Sequence, residues 1–128
     1  MRRKLWGSLL LLTAHCSLLT FLLLTAFPAL GKSLQKETLT VTTGAAVSLT
    51  QSVYLPGSGP LAGKYARRAV ITVEDNSVRY WVNGAAPTAA LGHLAYVGAV
   101  ITLKDDEIVN FLAIGVSGTA KLQVSYDH

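Results

Sequence analysis

The sequence predicts an all-β sandwich of about seven short strands, preceded by a hydrophobic N-terminal leader helix. Three observations predict it. Apolar and polar residues alternate with a period of two from Leu39 onward, turn-forming residues recur about every ten positions, and no helical periodicity appears beyond the leader. Alternation identifies strands because successive side chains point to opposite faces of a sheet.

The leader occupies residues 1–31. Arg2, Arg3 and Lys4 precede a run from Leu5 to Gly31 without Asp, Glu, Lys or Arg, which is the order of an export signal. Pro28 ends the apolar helix, and Ala29 and Gly31 place small residues where a signal peptidase probes, so cleavage after Gly31 is the preferred expectation. Retention is the rival. The run from residue 5 to 31 exceeds the about 20 residues needed to span a bilayer, and uncleaved it would anchor the body facing outward. Export is expected either way, to a periplasmic, secreted or membrane-anchored location. A start site near Lys32 would instead make the leader an artefact and the body cytoplasmic or part of a virion. Cys16, the single cysteine, does not read as a lipidation site, because His15 stands where a small residue is needed.

Beyond residue 31, eight Lys or Arg face seven Asp or Glu, a net charge of +1, and no cysteine remains. A near-neutral body lacks the clustered basic charge that nucleic acid demands, and it forms no internal disulfide. Residues 32–37 are expected as a linker to a domain at 38–128. Its first strands are Leu39 and Val41 alternating with threonines, then Val47 and Leu49 alternating with Ser48 and Thr50, broken at Gly44. Residues 55 to 64 hold two prolines and three glycines and form a loop. Tyr65 to Val73 resumes a strand, and Glu74 to Ser77 reads as a hairpin turn into Val78, Tyr80 and Val82, with Arg79 and Trp81 on the opposite face. Val100 to Leu103 and Ile108 to Val116 read as strands flanking Lys104 to Glu107, and the turn Ser117 to Thr119 leads to Leu122, Val124 and Tyr126.

Little in this body supports catalysis. Its imidazoles are His93, placed in a loop, and His128, the last residue, and neither belongs to a nucleophile or metal motif. Asp105, Asp106 and Glu107 read as solvated charges at a turn, since three neighbouring side chains cannot converge on calcium unaided. The run Gly59 to Lys64 is one residue short of a phosphate-binding loop, and Tyr65 stands where Ser or Thr would hold magnesium. Arg67 and Arg68 point to opposite faces and make no basic patch. No cofactor is expected. The aromatics Tyr54, Tyr65, Tyr80, Trp81, Tyr96 and Tyr126 would stack on sugars if several shared one face, although core and rim packing is the simpler reading. Tyr80 is expected in the core, with Trp81 more exposed and available as an interaction surface.

The segment Val78 to Thr88 resembles a turn, Tyr-x-x-Asp-Gly-x-x-Pro-Thr, of small Ig-like β-sandwich modules: Tyr80, Gly84, Pro87 and Thr88 match, and Asn83 replaces Asp. Such turns occur in C-terminal modules of chitobiase-type secreted glycosidases and in small phage virion-associated structural proteins. The phage group is the more similar, through Gly92, His93 and Leu94, through Ile101 to Leu103, through Ile108, Phe111, Ala113 and Ile114, and through Ser117 to Thr119. The resemblance covers residues 38 to 127. It implies a noncatalytic structural or protein-interaction module with other protein subunits, including copies of itself, as partners. The alternative is an exported sandwich that binds glycans or the cell surface. Membrane contact is expected only through residues 5–31.

Overall fold

The computed structural model describes residues 35–128. The expected leader at 1–31 and the first linker residues lie outside them. The elements are β1 (Gln35–Val41), β2 (Val47–Ser48), α1 (Gln51–Tyr54), β3 (Arg68–Glu74), β4 (Val78–Trp81), β5 (His93–Ala95), β6 (Val100–Lys104), α2 (Asp106–Val109), β7 (Leu112–Gly115) and β8 (Ala120–Asp127). The helices are single turns. Two four-stranded antiparallel sheets result, in the orders β1-β8-β3-β6 and β2-β7-β4-β5.

This connectivity corrects the Ig-like expectation and adds a strand. In the Ig-like order the first two strands pair with each other. Here β1 pairs with β8, β2 with β7, β3 with β6 and β4 with β5, as in one long antiparallel hairpin. Folding that hairpin so that β8 meets β3 and β7 meets β4 produces the jelly-roll arrangement of eight strands and two Greek keys.

The turn at Glu74 to Ser77 is correspondingly not a hairpin, because β3 and β4 belong to different sheets. Asp75 adopts φ 68° and the Asn76 amide donates to the Glu74 carbonyl at 2.9 Å, a tight bend that carries the chain across the sandwich. The Asn76 side chain donates to the Thr119 carbonyl at 2.8 Å and ties this arch to the one between β7 and β8. Likewise β6 and β7 lie in different sheets, and the strand expected from Ile108 divides into α2 and β7. Asp106 and Glu107 in the first turn of α2 favour the helical conformation, and Ile108 and Phe111, three residues apart, both enter the core.

Other bounds also move. β1 begins at Gln35, inside the stretch expected as linker; β2 holds two residues; and β3 begins at Arg68 rather than Tyr65. His93 opens β5 instead of lying in a loop. The loop over residues 55 to 64 is confirmed, with positive φ at Gly59 and Gly63.

The core lies between the sheets. Ala69, Ile71 and Val73 of β3 and Ala120, Leu122, Val124 and Tyr126 of β8 alternate inward, joined by Val41, Val78, Leu103, Ile108 and Phe111. The outward partners on these strands include Arg68, Lys121 and Gln123, so the period-two pattern separates core from solvent.

Candidate functional site

The turn motif lies in the eleven-residue connection between β4 and β5. Gly84 takes φ 77°, and its amide donates to the Asn110 carbonyl at 2.9 Å. The Asn83 side-chain oxygen accepts the Ala85 amide at 3.0 Å, so Asn serves in place of Asp because only an acceptor is required. Thr88 closes a second turn: its hydroxyl accepts the Leu91 amide at 3.0 Å, and the Thr88 and Leu91 backbones bond reciprocally. Pro87 is buried. A Cβ on Gly92 would lie 3.2 Å from the Cβ atoms of both Arg79 and Pro87, so the loop folds closely onto β4.

Arg79 holds that loop. Its Nε donates to the Ala89 carbonyl at 3.0 Å and one guanidinium nitrogen donates to the Gly92 carbonyl at 2.7 Å. The sequence marks Arg79 only as a residue facing away from the core. An Arg beside a turn rich in small residues has free carbonyls to bind, but spacing alone does not say which.

Tyr80, Trp81 and His93 gather at the end of β4. The Tyr80 ring lies 5.8 Å from Phe111 and 5.4 Å from His93, and Tyr80, expected in the core, is instead half-buried like Trp81 and packs against the core's edge. Trp81 is half-buried, with its ring 4.9 Å from His93 and the planes at 71°. Tyr54 and Tyr126 are buried, 6.5 Å apart, so the six aromatics do not form one platform. Burial and then the Tyr65 charge raise the Tyr54 phenol above its usual pKa; burial and then the Glu37 hydrogen bond raise that of Tyr126.

The exposed apolar side chains fall in two places. Five of them fall within one ten-residue stretch, each between 38% and 67% exposed: Leu91 just before β5, Leu94 on the outer face of one sheet beside Arg79, Tyr96 and Val97 in the turn between β5 and β6, and Val100 on the outer face of the other sheet. No Asp, Glu, Lys or Arg occurs between Arg79 and Lys104, a signal available in the sequence and passed over there. Tyr65 and Val109 instead line an open cleft of about 700 Å³ with Lys64, Arg67, Asp105, Asp106 and His128. Asp105 there adopts φ 44° while its amide donates to the Arg67 carbonyl at 3.1 Å. Among the described residues no three or more His, Cys, Asp or Glu side chains gather to hold a metal ion, and no helix is long and apolar enough to cross a membrane. Glu107 accepts the Lys104 amide at 2.9 Å, and Arg68 pairs with Asp127 at 3.1 Å. Compared with known protein families, with curated proteins and with solved structures, the chain matches none.

Proposed function

We propose that this sandwich is a noncatalytic structural subunit that acts by binding other protein chains, of the kind that phage or prophage genes contribute to virions. The observation that carries the reading is the concentration of exposed apolar side chains between Leu91 and Val100. Five large apolar side chains exposed within ten residues, around the edge where β5 turns into β6, are a denser run than the scattered apolar residues ordinary on a surface. Jelly rolls serve as capsid and lectin domains alike, so the arrangement of strands fits this role without selecting it.

A second reading, an exported glycan- or surface-binding sandwich, draws on Trp81 and the neighbouring His93 at the end of β4. The two separate in parallel measurements on the purified protein. Concentration-dependent self-association with no fluorescence response across a polysaccharide panel supports the subunit. A monomer whose Trp81 emission shifts with a polysaccharide overturns it. Residues 1–31 would determine where the subunit works, and intact mass after expression and cell fractionation tests this. A product beginning at Lys32 outside the cytoplasm means export with cleavage, a full-length membrane species means an outward-facing anchor, and a soluble cytoplasmic product favours assembly into a virion.

A further inference from the structure

We propose that the open cleft of about 700 Å³ at the start of β3 is a binding site for a neutral saccharide. It goes beyond the subunit reading and does not depend on it, and Trp81 is not among the residues that line it.

The sheet order builds the site. Across β8, β3 and β6, the buried residues Tyr126, Ala69 and Leu103 lie side by side. Two residues further towards that end of the sheet stand His128, Arg67 and Asp105, and all three line the cleft. The Arg67 amide donates to the Asp127 carbonyl at 2.8 Å and the Asp105 amide to the Arg67 carbonyl at 3.1 Å, so backbone bonds fix the row before any ligand arrives.

The polar groups here are not spent on one another. Among the described residues the ion pairs are Arg68 with Asp127 and Lys121 with Asp75, and none of those four lines the cleft, whereas Lys64, Arg67, Asp105 and Asp106 do. Asp105 precedes α2, yet its carboxylate caps no helix amide. The two ring nitrogens of His128 are shielded from solvent and have no hydrogen-bond partner, a state that polar atoms in folded proteins rarely keep without a function.

Those groups select the ligand. The charges of Lys64 and Arg67 balance those of Asp105 and Asp106, so an anion meets two carboxylates and a cation meets two positive groups. A hydroxyl both donates and accepts, and a neutral sugar therefore satisfies carboxylates and guanidinium in the same site. Tyr65, 57% exposed, offers a ring whose negative face attracts the slightly positive C–H face of a sugar. The volume is that of a small-molecule site.

Calorimetric titration of the full-length gene product, with the N-terminus that expression leaves it, tests the proposal. The probes are neutral trisaccharides of glucose, mannose, galactose and N-acetylglucosamine, with glycylglycine as a zwitterion. Wild type is compared with Tyr65→Ala, Asp105→Asn and Trp81→Phe. Both cleft side chains are exposed, asparagine tolerates the positive φ of Asp105, and thermal melts verify folding. Should Tyr65→Ala melt early, Tyr65→Leu, which removes the ring and keeps apolar bulk, replaces it. At least one trisaccharide should bind, about tenfold or more weakly to each cleft variant and unchanged to Trp81→Phe. Binding that the cleft variants leave intact overturns the proposal, and its loss in Trp81→Phe instead places the sugar at the end of β4. Binding of glycylglycine and of no trisaccharide overturns it in favour of a zwitterion, and binding of no probe overturns it outright. The subunit reading is judged separately, by self-association.

Discussion

Tyr126 on β8 donates its phenolic hydrogen to Glu37 on β1 from inside the sandwich. The register pairs Tyr126 with Gln35 and Glu37 with Val124, so the bond runs diagonally across two core-facing positions. The same carboxylate oxygen of Glu37 accepts the Thr50 amide at 3.2 Å, ahead of α1. One carboxylate thus joins β1, β8 and the start of α1. Tyr126→Phe keeps the ring and leaves Glu37 without its phenolic donor, at an expected cost of about 1–3 kcal/mol in urea unfolding. An unchanged midpoint would contradict this joint.

The same phenol sets an alkaline limit. Burial first, and Glu37 second, hold the Tyr126 pKa above its ordinary value. In the unfolded chain Tyr126 gives up its proton near pH 10. Above that pH the unfolded state binds fewer protons, so stability falls by about 1.4 kcal/mol per pH unit from this group; below it, the group adds no slope. Tyr54 is raised as well and adds in the same direction. Urea midpoints between pH 9 and 12 should therefore fall more steeply for wild type than for Tyr126→Phe, and parallel slopes would be inconsistent with a protonated buried phenol.

Gly115 of β7 is required by space. A Cβ there would lie 2.4 Å from the Gly118 carbonyl oxygen and 3.1 Å from the Thr42 carbonyl carbon, both backbone atoms. The Gly115 amide also donates to the Thr42 carbonyl at 2.9 Å, so separating the segments loses that bond. Gly115→Ala should cost about 3 kcal/mol. Gly57→Ala is the contrast, because nothing lies within 4 Å of its Cβ position. It should be neutral or stabilise by up to about 1 kcal/mol through the unfolded state. Thermal unfolding of the two variants measures the difference.

The two-layer all-β class and most of the core were legible in the sequence, because alternation reports which side chains face inward: Leu122, Val124 and Tyr126 are buried as their spacing requires. Alternation does not report which strand lies alongside. A hairpin and an arch both bring Val73 and Val78 inward, and only the bend at Asp75 and the sheet membership distinguish them. The jelly-roll order was therefore hidden; the helical turn at Asp106 was not, because Ile108 and Phe111, three apart, face opposite sides of a strand and share a face only on a helix. The motif from Tyr80 to Thr88 was legible as a turn, whereas its anchor, Arg79, acts through carbonyls ten and thirteen residues away, a relation that side-chain patterns do not encode.

That anchor fixes the connection between β4 and β5. Arg79 holds the carbonyls of Ala89 and Gly92, which bracket Leu91, so one guanidinium sets where that exposed leucine stands. Arg79→Met keeps the apolar stem and removes both donors. The cost should be about 1–2 kcal/mol, since the group is partly solvated, with hydrogen-exchange protection lost selectively at the Leu91 amide and neighbouring loop amides. Arg79→Lys should restore little of it, because an ammonium on a flexible stem does not present two fixed donors to two carbonyls. Unchanged exchange at the Leu91 amide in Arg79→Met would mean that the Thr88–Leu91 turn holds the loop without the guanidinium.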